Sequence, residues 1–342
     1  MAGAGNDPMV LIRAGRLTRR AFAAGAMLAA AGGPMRSRVA AAEAKYPERP
    51  VRVIVPLGAG SAADLTTRLV VEKLGLKLGQ RFVVENLPGA GGAAAARAVS
   101  QAHADGYTLT LFTSGTAISV PLFKKLGFDP IKDFVPISSL GFFDCVFASN
   151  AASDVRTMKD FLKAAHDKPG TLNVGTISVG STQHLSAELL KSMSRANFVI
   201  IPFRTPAETI QALLRDDIQL LVDFPMALHG ALAEHKLRPV AATGPVGAHA
   251  LGGIPTVAEA GVPGYEATSW NALYAPSGTP AEPIEVINGA LREVLVDPEI
   301  KRRAAELGID TRHGTPAEAD AKMRGDIAKW AKVIAQANIP QQ

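Results

Sequence analysis

From residue 51 onward the chain repeats one alternation, a short β-branched or apolar run followed by a turn and a stretch with helical periodicity. Runs at 51–56, 81–85 and 108–113 are separated by helical stretches at 62–78 and 92–103. The pattern resumes with runs at 146–149, 173–177, 198–202, 220–224 and 239–243, between helical stretches at 158–168, 182–192, 206–215 and 227–234. Short strands linked by helices pair in parallel and bury both faces. The alternation therefore predicts an α/β chain with parallel sheets of the doubly wound type. Three more helical stretches follow at 283–296, 298–307 and 316–336, each with proline near its first turn. The chain is long enough for two lobes. Residues 45–143 with 270–342 are expected to form the first and 144–269 the second, with chain crossings near 141–145 and 268–273. A cleft between two such lobes is a usual place for a small ligand.

The first 44 residues do not share this pattern. Arg13, Arg16, Arg19 and Arg20 precede an apolar stretch from Ala21 to Ala31, and Ala40, Ala42 and Ala44 supply A-x-A sites. The stretch is too short to span a bilayer, which takes about 20 apolar residues. The order of features is that of a cleaved signal peptide, which implies a periplasmic protein. Thr18-Arg19-Arg20-Ala21-Phe22 resembles the twin-arginine export motif. This segment carries six basic and two acidic side chains, so nearly all of the formal net charge of +5 resides in it. The remaining chain is close to neutral and has no basic footprint for nucleic acid. The single cysteine, Cys145, sits in an apolar run and is expected to be a buried thiol. The histidines are scattered without metal-ligand spacing, and no cofactor is expected.

Two strand-to-helix loops carry the chemistry. In Pro56-Leu57-Gly58-Ala59-Gly60-Ser61-Ala62-Ala63-Asp64, free amides at a helix N-terminus can bind an anion. The spacing Gly58-x-Gly60-x-x-Ala63, with Glu85 about 20 residues on, also fits a dinucleotide fingerprint. Pro56 before the first glycine, and the negative charge of Asp64 in the first helical turn, oppose that reading. A plain tight turn capped by Ser61 or Asp64 is the third possibility. The second loop, Thr176-Ile177-Ser178-Val179-Gly180-Ser181-Thr182-Gln183-His184, has the same construction, with Ser181 as N-cap. Ser181 and His184 form a weak nucleophile–base pair, because no G-x-S-x-G elbow is present. After the run at 198–202, Arg204 can pair with a carboxylate through both guanidinium nitrogens or stand in solvent.

Further segments recur in one known family. Tyr46-Pro47-Glu48-Arg49-Pro50, Val84-Glu85-Asn86-Leu87-Pro88-Gly89-Ala90-Gly91-Gly92, Asp105-Gly106-Tyr107-Thr108-Leu109 and Lys132-Asp133-Phe134 occur in order with the two glycine loops. Gly180-Ser181-x-x-His184-Leu185-x-x-Glu188-Leu189 and Pro255-Thr256-Val257-Ala258-Glu259-Ala260-Gly261 complete the set. Together, from Tyr46 to about Pro280, they resemble the Bug family of solute receptors of tripartite tricarboxylate transporters. The resemblance implies a type II periplasmic-binding-protein fold that closes on a small carboxylate and serves membrane transporter subunits without catalysing a reaction. It places ligand contacts at Gly58, Gly60, Ser61 and Asp64 in the first lobe and at Gly180, Ser181 and His184 in the second. It adds Ser114 and Thr116 after the third strand; Arg204 completes the candidate set. A monomer is expected. An exported dehydrogenase using the Gly58 loop and a sensor feeding a membrane kinase are the alternatives. The chain departs from the family at Ser61, at Phe203-Arg204-Thr205 and at Trp270-Asn271-Ala272, which leaves the ligand open.

Overall fold

The computed structural model describes residues 46–342. The expected leader, with its twin-arginine motif and cleavage sites, lies outside the described residues. In the described part, β1 (Val51–Val55) leads through the first glycine loop into α1 (Ala62–Leu78). Then come β2 (Phe82–Asn86), α2 (Ala93–Ser100), β3 (Thr108–Thr113) and α3 (Ser114–Leu122). The chain next runs along β4 (Phe134–Asp144) and, after Cys145 alone, along β5 (Val146–Asn150). Strand–helix units follow as α4 (Met158–Asp167), β6 (Asn173–Ile177), α5 (Thr182–Ser194), β7 (Val199–Phe203) and α6 (Pro206–Leu214). They continue as β8 (Leu220–Asp223), α7 (Pro225–Ala233), β9 (Leu237–Ala242) and α8 (Pro245–Ala250). The long β10 (Thr268–Pro276) precedes α9 (Ala281–Val294), α10 (Pro298–Glu306), β11 (Asp310–Thr311) and α11 (Pro316–Gln336).

The strands form two sheets, one of six in the order β11-β4-β10-β3-β1-β2 and one of five in the order β7-β6-β8-β5-β9. Strands from strand–helix units pair in parallel, β1 with β2 and β3, and β6 with β7 and β8. The expectation of parallel sheets needs correction elsewhere. β10 is antiparallel to β3 and β4, β11 is antiparallel to β4, and β5 is antiparallel to β8 and β9. The cause is connectivity. β4, antiparallel to β10, keeps the direction of β3, whereas β5 and β10, which carry the chain from one sheet into the other, run opposite to the strands of the strand–helix units. A parallel neighbour needs a crossover helix, which these strands lack.

Both faces of the first sheet are covered, as the continuous apolar runs predict. Val51, Val53 and Val55 alternate to one face of β1, where they pack with Val70 and Leu74 of α1 and Ile287 and Leu291 of α9. Ile54 points to the other face, into a core with Phe112, Ile118 of α3 and Trp330 of α11. That core continues into the second sheet through Phe147, Val174 and Leu220. Each such side chain contributes about 2 kcal/mol when removed from water. Cys145 is fully buried between the two sheets' strands, as expected. The periodicity misses α3, because Ser114-Gly115-Thr116-Ala117-Ile118-Ser119-Val120-Pro121-Leu122 has no charged face and holds an internal proline.

Candidate functional site

The carboxyl ends of β1, β3, β6 and β8 face one cavity of about 580 Å³. In open α/β sheets this is where ligands bind. The volume suits a small acid with several waters, each taking about 30 Å³. A larger open groove of about 720 Å³ is lined by residues between Arg68 and Val84 only, all from α1, β2 and the turn between them. The 580 Å³ cavity instead draws on both sheets, and among the described residues five helices of nine or more residues start in its wall: α1, α3, α5, α6 and α7. Each start presents amides that have no intrahelical partner, together with the positive end of a helix dipole. No lysine or arginine lines the cavity among the described residues.

The first loop is held from within. Gly60 has φ +79°, a left-handed conformation that glycine adopts without penalty. Ser61 is the N-cap of α1, its hydroxyl accepting from the Asp64 amide at 3.3 Å. The Asp64 carboxylate accepts from the Gly60 amide at 2.9 Å, from the Asn86 amide group at 2.9 Å and from Arg68 Nε at 2.9 Å. Burial pushes this carboxyl up, but the Gly60 amide, Asn86 and Arg68 together hold it below the usual range. Asp64 thus occupies from inside the anion position that a pyrophosphate would take at Gly60. Glu85, the would-be ribose ligand, is tied to Arg52 by two bonds of 2.9 and 2.8 Å. These two pairings disfavour the dinucleotide reading.

The second loop repeats the device. The Ser181 hydroxyl donates to the Ile177 carbonyl at 3.0 Å and accepts from the His184 amide at 3.1 Å. It is a cap, and the His184 ring is not its partner. His184 Nε2 lies 3.9 Å from Glu188 Oε1, and burial pushes the imidazole down. Between the loops, the Ser114 and Thr182 hydroxyls are 3.3 Å apart, which joins the starts of α3 and α5. Thr116 accepts from the Thr113 amide in a capping box and does not reach the cavity wall.

The remaining wall comes from β8 and β10. Asp223, 2% exposed, ends β8 and lines the cavity. Its Oδ1 accepts from Gln183 Nε2 at 2.9 Å and from the Phe224 amide at 2.8 Å, while Oδ2 has no partner. Ser269 Oγ and both amide atoms of Asn271 on β10 are also buried and unpaired. Buried polar groups left unpaired cost about 1–3 kcal/mol each, so four in one wall mark a surface built to be filled.

Among the sequence candidates, Gly60, Ser61, Ser114 and Ser181 come together around this cavity. Gly58, Asp64, Thr116, Gly180 and His184 brace its loops without lining it, and Arg204 stands exposed beyond it. Sequence reasoning missed Gln183, Asp223, Ser269 and Asn271. The Trp270-Asn271-Ala272 departure named the segment but gave Asn271 no role. Nothing local marks Asp223, which follows an ordinary apolar strand.

A profile described as tripartite tricarboxylate transporter family receptor matches residues 66–339. BugT of Bordetella pertussis is 28% identical over 84% of this chain and 89% of its own length. R. palustris Rpa4515, solved with adipate, is 32% identical and superposes with a TM-score of 0.75 over 86% of this chain and 99% of that one. MatC from Rhodopseudomonas palustris, solved with bound malate, is 28% identical, with a TM-score of 0.70 over 84% of this chain and 100% of that one. The two mixed sheets are therefore those of the type II periplasmic-binding-protein fold expected from the sequence. The glycine loops that resembled Bug receptors and the profile match across most of the described residues agree: the chain belongs to the tripartite tricarboxylate transporter receptor family.

Proposed function

We propose that this protein is a periplasmic receptor that captures a small carboxylate between two lobes and delivers it, as a monomer, to a tripartite-type membrane transporter. The lobes are residues 45–143 with 270–342 and residues 144–269, and residues 1–44 are the leader removed on export. One observation carries the reading: five helix N-termini converge on a cavity that has, among the described residues, no lysine or arginine in its wall. Backbone amides and helix dipoles then supply the attraction for an anion. The adipate and malate bound by Rpa4515 and MatC support an acid of that size. Capture needs no covalent step, and the Ser181 hydroxyl is already engaged at both its donor and acceptor sides. Closure is driven by the higher affinity of the closed lobes for the ligand.

Thermal unfolding with a panel of mono-, di- and tricarboxylates and with NAD tests this. At 100 times its Kd, a true ligand adds about 2.7 kcal/mol to stability. Stabilisation by NAD alongside none by any acid overturns the reading.

A further inference from the structure

We infer that Asp223 is a specificity-determining residue of the cavity, donating a hydrogen bond from Oδ2 to the second carboxylate of a dicarboxylic acid, so that binding takes up a proton. The inference rests on the reading of this cavity as a carboxylate site and adds to it the class of acid and the residue that selects it.

The bonding pattern of Asp223 is that of a carboxylic acid. An ionised carboxylate accepts at both oxygens, whereas a neutral acid accepts at its carbonyl oxygen and donates from the other. Here Oδ1 accepts two bonds, from Gln183 and from the Phe224 amide, and Oδ2 accepts none. An O–H at Oδ2 requires an acceptor, and the cavity is the space it lines. Asn271 and Ser269 line the same cavity from β10, and each carries a buried donor with no partner of its own. A ligand carboxylate placed among them would accept from the Asp223 O–H, the Ser269 hydroxyl and the Asn271 Nδ2.

An ammonium group is the obvious rival partner for an aspartate. The five converging helix ends oppose it, because the positive ends of their dipoles favour an anion in the cavity and disfavour a cation. The surrounding titratable groups supply no counter-charge. On β5's flank Cys145 is kept neutral, its thiol pushed up by burial, by Asp223 and by Asp144. Asp144 itself is pushed up by burial and accepts from the Gly247 amide. On α5, burial pushes His184 down and Glu188 up. β6 and α3 carry no titratable side chain, Glu208 of α6 and His229 of α7 are exposed, and Asp64 of α1 is bound to Arg68. Burial likewise pushes the Asp223 carboxyl up, against the opposing pull of its bonds from Gln183 and Phe224.

The sign of the pH effect follows. A dianion in the cavity holds the Asp223 proton to higher pH than the empty receptor does. Affinity is therefore full below the pKa of the empty receptor and falls as pH rises above it, by up to about tenfold per pH unit. The experiment is calorimetric titration of adipate, malate and the monoacid hexanoate between about pH 6 and pH 9, in two buffers of different ionisation enthalpy. The expected result is a rise in Kd with pH, net proton uptake by the wild type with a diacid over the pH range in which Kd rises, and weaker binding of hexanoate. In Asp223→Asn, which keeps a donor but cannot titrate, the uptake vanishes and the profile flattens. The wild-type measurement stands even if that variant folds poorly. Diacid binding with constant Kd and no proton uptake overturns the inference and leaves the carboxylate reading standing. So does tight binding of an amino acid, such as aspartate, that takes up no proton and is lost in Asp223→Asn, since that identifies an ammonium partner. Failure of every acid to bind overturns both.

Discussion

At Asp64 a single carboxylate ties the Gly60 amide, Asn86 and Arg68 together, and so fixes the loop whose amides face the cavity. The residue is 2% exposed, while the Arg68 side chain is 48% exposed, so solvent screens that ion pair and the amide bonds carry more of the effect. Replacing Asp64 with Asn removes the charge that these donors share and is expected to cost about 2 kcal/mol in urea unfolding at neutral pH. Because the folded carboxyl lies below its usual value, its stabilisation is present above the unfolded pKa, about 3.9, and is lost as pH falls through the folded pKa. The gap between wild type and Asp64→Asn should then shrink toward pH 3. A gap that stays constant with pH would show that the charge is not what the loop uses. The sequence could not assign this role, since one partner, Asn86, arrives from the second strand and is adjacent only after β1 and β2 pair. A negative residue in the first turn is equally consistent with a cap or with a ligand contact.

At the scale of elements, the two glycine loops are the same device built twice, a strand, a left-handed glycine and a serine cap. They differ in how the serine is used. Ser61 accepts one bond at 3.3 Å, whereas Ser181 accepts one at 3.1 Å and donates another at 3.0 Å. Ser61→Ala is expected to cost about 1 kcal/mol and Ser181→Ala between about 1 and 2 kcal/mol in the same unfolding measurement. The reverse order would mean that the Ile177 bond contributes nothing. These loops were legible in the sequence because every part of them lies within about ten consecutive residues. So were β1, β3, β6 and β8 and the helices that follow β1, β6 and β8, since their period is local. The antiparallel β10 was seen only as a chain crossing, because its pairing with β3 and β4 depends on residues more than a hundred positions away. For the same reason, the Ser269 and Asn271 wall carries no local signal. Gly60 and Ser61 were found from their own turn, and Asn271 became a site residue only when β10 reached the mouth of β3.

Over the whole molecule, the two chain crossings are laced to each other. The Cys145 amide donates to Thr243 Oγ1 at 2.9 Å, the Thr243 amide donates to the Cys145 carbonyl at 2.9 Å, and the Ala267 amide donates to the Thr243 carbonyl at 2.9 Å. A compact junction of this kind fits the proposed closure of one lobe on the other as a hinge, with few residues absorbing the change. The second glycine loop meets α3 at Gly180 against Leu122. Gly180 has φ +81°, and a Cβ there would lie 2.3 Å from Leu122 Cδ2, a side chain that is 3% exposed and has little room to retreat. Gly60, at φ +79°, has nothing within 4 Å of the same position. Gly60→Ala therefore incurs only the left-handed backbone penalty, about 1–2 kcal/mol, while Gly180→Ala adds a wedge between α3 and the second loop. Gly180→Ala is expected to weaken binding of whichever carboxylate stabilises the wild type in thermal unfolding by about tenfold, or about 1.4 kcal/mol. Adding Leu122→Ala removes the wedge but not the backbone strain, so the double variant should recover most of the affinity and little of the stability. Calorimetric titration of the single and double variants reads this directly. If Leu122→Ala restores nothing, the contact between Gly180 and α3 is not part of the ligand-bound state, and the closed arrangement of the lobes must bring different surfaces together.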